Sequence, residues 1–273
     1  LNYARTFGKN DVAADFVYHM KEKVNNAVSN DENLLLPYRE QGLAGRITYN
    51  FGKRYYLEAN FGYNGSENFK EGHRFGFFPS VAGGWNISNE KFFKPLKPVF
   101  TNLKLRASYG KSGNDALNVR FPYLTSVNMG SRGYYFSSDF KYAGAGYVDT
   151  YGNENATWEI SNKMDAGVDI TLYKDWRITA DYFREHRYNI FIQRNSLSAT
   201  AGMGGTVPYG NLGQLDNSGV DGSLEYNKIV NRNLTYGIRG TFTYAHNEVK
   251  EMDEPAYTEQ NKNLYQKGHP YNA

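Results

Sequence analysis

The run Tyr55-Tyr56-Leu57-Glu58-Ala59-Asn60-Phe61-Gly62-Tyr63 decides how this chain folds. Tyr55, Leu57, Ala59, Phe61 and Tyr63 fall on one side of a two-residue period; Tyr56, Glu58, Asn60 and Gly62 fall on the other. Successive side chains of a strand point to opposite faces, so this is a strand with one apolar and one polar surface. The pattern returns along the chain. Leu103, Leu105, Ala107 and Tyr109 oppose Lys104, Arg106, Ser108 and Gly110. Met164, Ala166, Val168, Ile170 and Leu172 oppose Lys163, Asp165, Gly167, Asp169 and Thr171. Leu234, Tyr236, Ile238, Phe242 and Tyr244 oppose Thr235, Gly237, Arg239, Thr241 and Thr243.

Extended to the whole sequence, this reading predicts about ten strands, near 1–7, 11–20, 42–51, 54–63, 74–87, 101–110, 159–173, 176–188, 216–228 and 233–246. No segment keeps a helical period; the best local candidate is Asn89-Glu90-Lys91-Phe92-Phe93, ahead of Pro95. The connections alternate in length. Short ones are Gly8-Lys9-Asn10, Gly52-Lys53, Lys174-Asp175 and Val230-Asn231-Arg232-Asn233, with a longer one at 88–100. Long ones cover 21–41, 64–73, 111–158, 189–215 and 247 onward. Long loops are rare in compact domains, and here they recur at every second connection, so all fall on one edge of an up-and-down sheet. Outer-membrane barrels have that asymmetry, with short periplasmic turns and long extracellular loops.

Strand length agrees. Ten residues tilted by about 40° span roughly 25 Å, the height of a lipid-facing band. Tyr55, Tyr63, Tyr109, Tyr173, Trp176, Tyr226, Tyr236 and Tyr244 lie near the ends of the apolar rows, as amphipathic rings at a membrane interface do. A soluble antiparallel sandwich also alternates, but the loop asymmetry and the mid-strand charges opposite the apolar rows (Arg46, Glu58, Arg106, Asp165, Asp169, Arg239) favour the barrel.

Composition sets outer bounds. The 273 residues suffice for one large domain or two ordinary ones. Mean hydropathy is −0.68 and no 18-residue apolar run exists, which excludes a helical membrane span but not a barrel. Cysteine is absent, removing disulfides and thiolate metal sites. A net charge of +3 without a basic run gives no electrostatic case for nucleic acid. The chain opens at Leu1 without Met or a signal peptide and stops on His269-Pro270-Tyr271-Asn272-Ala273; both ends are expected to be cut points in a longer polypeptide.

Several stretches carry a family resemblance. Gly45-Arg46-Ile47-Thr48-Tyr49-Asn50-Phe51 followed by Arg54–Phe61 resembles a strand pair of the SusC/RagA family of TonB-linked outer-membrane proteins. So do Arg74-Phe75-Gly76-Phe77-Phe78-Pro79-Ser80-Val81-Ala82-Gly83-Gly84-Trp85-Asn86-Ile87-Ser88 and Leu103-Lys104-Leu105-Arg106-Ala107-Ser108-Tyr109-Gly110-Lys111-Ser112-Gly113-Asn114. Thr157-Trp158-Glu159 with Asn162–Asp169, and Gly213-Gln214-Leu215-Asp216-Asn217-Ser218-Gly219-Val220-Asp221, continue the match in family order. The resemblance implies a closed barrel of about 22 strands, of which 1–273 would be a middle portion, with the plug, N-terminal extension and final strands outside it. It further implies a Gram-negative outer membrane and import energised through TonB. The implied partner is a SusD-like surface lipoprotein, and the implied cargo is oligosaccharide or, alternatively, peptide. No cofactor and no enzymatic activity are implied.

The candidate binding residues are loop aromatics: Tyr134, Tyr135, Phe136, Tyr142, Tyr147 and Tyr151, with Tyr123 and Phe140 nearby and Asp139 and Asp149 among them. Sugar rings present apolar faces and hydroxyl edges, and flat aromatics beside hydrogen-bonding groups suit both. The alternative is that these rings pack against neighbouring loops or a lid protein. Asp165, Asp169, Asp221 and Glu225 share polar faces; pairing with Lys163, Arg177 or Arg239 is favoured over acid–base work. His19, His73, His186, His246 and His269 are scattered without metal-like spacing, and Gly202-Met203-Gly204-Gly205 lacks the helix and lysine of a phosphate loop. A barrel enzyme and a soluble glycan-binding sandwich stand as the competing readings.

Overall fold

The computed structural model describes residues 1–24, 36–117, 119–136, 141–202, 206–232 and 234–271. Its strands are β1 (Asn2–Phe7), β2 (Asn10–Lys23), β3 (Tyr38–Phe51), β4 (Tyr55–Ser66), β5 (Phe75–Asn86), β6 (Phe100–Asn114), β7 (Ser126–Phe136), β8 (Lys141–Thr150), β9 (Glu159–Leu172), β10 (Trp176–Gln193), β11 (Tyr209–Asn231) and β12 (Leu234–Glu251). Ten of them form one antiparallel sheet in chain order, from β1 to β6 and then β9 to β12. Strands β7 and β8 pair with each other as a separate hairpin.

The register makes each face continuous. Leu57, Gly83, Ala107, Ala166, Tyr182, Val220 and Tyr244 are successive partners across seven strands. The row one residue away is Tyr56, Gly84, Arg106, Gly167, Asp181, Asp221 and Thr243. One surface is therefore apolar and the other polar across these seven strands. The apolar surface is open: Leu57 and Ile47 are each 58% exposed and Ile238 is 71% exposed. A sandwich would bury these side chains against a second sheet, and an apolar expanse this wide does not stay in water. The sandwich reading fails on this point.

Three expectations are corrected. The stretch 111–158 is not one loop, since it holds the β7–β8 hairpin, whose glycines and irregular register dilute the two-residue period. The stretch 189–215 is partly strand, because β10 runs to Gln193 and β11 starts at Tyr209. Beyond a lipid band no apolar row is required, so the ladder continues after the sequence signal has faded; β11 has 23 residues, roughly twice what the band needs. The helix candidate at 89–93 is instead a pair of 3-10 turns, Ile87–Asn89 and Lys91–Leu96, with Pro95 inside the second, where its ring and missing N–H prevent a regular helix.

One seam is incomplete. Strand β5 pairs with β4 from Phe75 to Trp85, but with β6 only from Ser80 to Asn86. Pro79, which has no N–H to give to a ladder, stands where that pairing stops. Beyond it the ring of Phe78 lies over Gly113 of β6, so closely that a Cβ at Gly113 would collide with it.

Candidate functional site

The polar face is built around Arg106. Its Nη2 donates to Asp181 at 2.6 Å, its Nε lies 3.3 Å from Asp169, and its Nη1 lies 3.7 Å from Asp165. Arg106 and Asp181 stand on β6 and β10 with Gly167 of β9 directly between them in the row. They meet because Gly167 has no side chain: a Cβ there would run into Asp181 Oδ1 and the guanidinium. Asp181 is nearly buried, and its Oδ1 has no hydrogen-bond partner among the described residues. The anticipated partner of Asp165 and Asp169 is corrected: Arg106 fills that role, while Lys163 faces Glu185. Glu225 is paired with Arg177 as expected. Further along, Arg46 binds Glu58 at 2.7 Å and Lys104 lies over the Tyr56 ring. A cavity of about 470 Å³ on this face takes lining residues from β1 (Ala4, Thr6) through β6 (Lys104, Arg106).

These groups are hydrogen-bonded to one another, which suits a wetted wall. Among the described residues no cluster of three or more His, Cys, Asp or Glu is arranged to hold a metal. His186 meets Asp216 at 2.5 Å, and its ring stacks on that of Tyr188, 5.6 Å away.

The long-loop end is a folded layer. Phe69, Phe78, Ala156, Trp158, Ile160 and Phe191 form a buried cluster, edged by Leu117, Tyr188 and Tyr209. Trp158 lies 5.3 Å from Phe69 and 5.2 Å from Phe78, ring to ring, and its Nε1 donates to the Arg74 carbonyl. Polar ties join the same loops. The Tyr38 hydroxyl donates to Asp115, and Arg120 donates to the carbonyls of Leu36 and Pro37. Asn211 exchanges hydrogen bonds with Thr157. Trp158 stands in the motif Thr157-Trp158-Glu159, but no local pattern in the sequence marks it as a member of this cluster.

The candidate binding aromatics lie on and beside the hairpin. Tyr134 and Tyr135 stand on β7, both largely exposed; as neighbours on a strand they point to opposite faces. Tyr147 is on β8, and Tyr151 follows it, each half-buried. Tyr135 is in register with Tyr142, and Phe136 with Lys141; the side chains of Phe136 and Tyr142 lie outside the described residues, as does Phe140.

At the short-turn end, Glu90 joins the β5–β6 connector to the sheet. It accepts from Trp85 Nε1 at 3.2 Å and from Arg54 Nη1 at 3.1 Å. The Tyr55 hydroxyl, Trp85 and Arg54 hold its carboxyl below the ordinary glutamate range, against burial, which acts the other way. An acid whose folded pKa is depressed contributes stability above its unfolded pKa, about 4.3, and loses it as pH falls through the lower folded value. Acid titration of tryptophan fluorescence is expected to show a transition that lies below the ordinary glutamate range, and Glu90→Gln is expected to remove it.

Comparison with known proteins follows the same lines. A family model described as "TonB dependent receptor-like, beta-barrel" matches residues 5–273. A TonB-dependent receptor of Formosa agariphila is 29% identical over 212 residues, covering 77% of this chain and 20% of that protein. The TonB-dependent receptor SusC of Bacteroides thetaiotaomicron is 30% identical over 220 residues, covering 76% and 20%. The chain thus spans about a fifth of the length of these curated relatives. Among solved structures, the RagAB peptide importer in its open-open state superposes with a TM-score of 0.77 at 21% identity, over 98% of this chain and 31% of its own; that likeness is one of fold.

Proposed function

From the premise that this chain belongs to the TonB-dependent receptor-like β-barrel family, we propose that it supplies part of the wall and mouth of an active importer, energised through TonB, whose cargo is oligosaccharide. The family is one of outer-membrane transporters rather than enzymes, and the chain is a Gram-negative outer-membrane strand array with short periplasmic turns and long extracellular loops. The single observation that carries the proposal is the continuous division of the sheet into an exposed apolar surface and a polar, ion-paired one, which is what a wall between lipid and a wet lumen requires. A SusD-like lipoprotein over the mouth is the partner we propose.

Oligosaccharide is favoured by the exposed rings of Tyr134 and Tyr135 beside polar loop groups. Peptide is the second reading, because RagAB, whose fold this chain shares, is a peptide importer. The test is calorimetric binding of oligosaccharide and peptide panels to the intact transporter, with Tyr134→Ala and Tyr135→Ala. An oligosaccharide is expected to bind, and the loss of one stacking ring is expected to cost about 1 kcal/mol, roughly fivefold in Kd. Because the two rings face opposite ways, one substitution should carry most of the effect. Binding of peptides alone, or unchanged affinity in both variants, would remove this reading of the hairpin.

A further inference from the structure

The β5–β6 connector at the periplasmic rim has a surface that the transport reading leaves unused. Lys91, Phe92, Lys94, Leu96 and Lys97 are all exposed, with Phe92 at 67%. Among residues 91–99 only Phe93 turns inward, packing edge-on against Phe100, and this fixes which side of that stretch faces out. Its far end is tied to the β9–β10 turn: the Tyr173 amide donates to the Val99 carbonyl at 2.9 Å, and the Lys174 amide to Thr101 Oγ1 at 3.2 Å. Between them lies a recess of about 610 Å³ lined by Lys97, Pro98, Thr101, Tyr173 and Lys174.

The charge here is unbalanced. Lys91, Lys94, Lys97 and Lys174 make no ion pair among the described residues. The carboxylates that would neutralise them are engaged elsewhere, Glu90 by Arg54 and Asp175 by Lys228. The level is that of a membrane interface, because groups of contacting aromatic rings flank the connector on both sides. Tyr55 and Trp85 stand on one, and Trp176, Tyr226 and Tyr236 on the other. Between these two aromatic runs the apolar row ends in Leu103 on β6 and Leu172 on β9, and Phe92 and Leu96 of the connector supply exposed apolar groups at the same rim.

We propose that this connector and recess bind the anionic headgroup of a phospholipid in the periplasmic leaflet, with Lys97 and Lys174 on the phosphate and Phe92 and Leu96 at the acyl boundary. Cations on a short segment beside apolar anchors recognise an anionic lipid surface, and the Thr101 hydroxyl, whose oxygen already accepts from Lys174, keeps its own proton to donate. The inference rests on the chain's place in the outer membrane and is independent of cargo.

The experiment uses the intact transporter in neutral detergent. Its thermal unfolding is followed while phosphatidylglycerol is added, with phosphatidylcholine of the same chains and inorganic phosphate as parallel arms. Native mass spectrometry counts the lipid retained. Phosphatidylglycerol is expected to raise Tm and stay bound, and the other two to do neither. Each lysine near an anionic headgroup contributes roughly a fivefold factor in affinity. The variant K97Q/K174Q, which removes both cations from the recess, should therefore lose on the order of 25-fold, and K97R/K174R should keep the shift. An equal shift with phosphatidylcholine, an equal shift with free phosphate, an undiminished shift in the glutamine variant, or its loss in the arginine variant would each overturn the proposal. A failure of oligosaccharide binding would leave it standing.

Discussion

Trp158→Ala is expected to loosen the extracellular layer as a unit, at a cost of about 3–5 kcal/mol. The indole contacts two other rings, Phe69 and Phe78, and donates to the Arg74 carbonyl, so one truncation opens a void and removes one of the two hydrogen bonds that carbonyl accepts, the other coming from the Ser66 amide. The loop 67–74, β5 and the segment that leads into β9 meet at this side chain. Hydrogen exchange of the intact transporter is the measurement. The amides of 67–74 and 152–158 should lose protection together, while the central residues of β9 and β10 keep theirs. Trp158→Phe should retain most of the packing but still lose the bond to Arg74, and so fall in between. Loss of protection confined to residue 158 and its immediate neighbours would show that the cluster does not act as one body.

The second large effect belongs to Arg106→Leu, expected to cost about 3 kcal/mol. Removing one partner of a buried pair typically costs 3–5 kcal/mol, and the lower end applies because the guanidinium keeps part of its surface in water. The substitution leaves Asp165, Asp169 and Asp181 facing one another without a cation, with Asp181 the driest of the three. Denaturant unfolding in lipid vesicles reads the loss. Adding Asp181→Asn to Arg106→Leu should recover part of it, since the two changes act on one network and are not additive. If Arg106→Leu and Asp181→Asn simply sum, the cluster is a set of solvated neighbours and not a joint.

These two sites mark the boundary of what the amino-acid sequence made legible. The alternation from Tyr55 to Tyr63 was readable because a lipid-facing row imposes its period residue by residue, and the ten sheet strands follow it. The partner of Arg106 was not readable. Asp181 lies 75 residues away, and their meeting depends on the register of β6, β9 and β10 and on the gap at Gly167, none of which is local. The hairpin β7–β8 escaped for another reason: outside lipid nothing forces an apolar row, so Ser126–Phe136 shows no clean alternation although its backbone pairs. The loop aromatics could be gathered into one list, but Tyr134 and Tyr135 could not be assigned to a common surface until they were seen as neighbours on a strand. Trp158 could be noticed, but not its neighbours, which come from four separate stretches of chain.

The seam at Pro79 has a mechanical consequence. Above that residue β5 and β6 are not riveted by amides but glued by rings, with Phe78 lying over Gly113 and Trp158 behind it. Glue and rivets age differently with temperature: apolar adhesion weakens on cooling. A wall joined this way has a tear line in its outer half, one that parts under load before the laddered seams on either side and parts more readily in the cold.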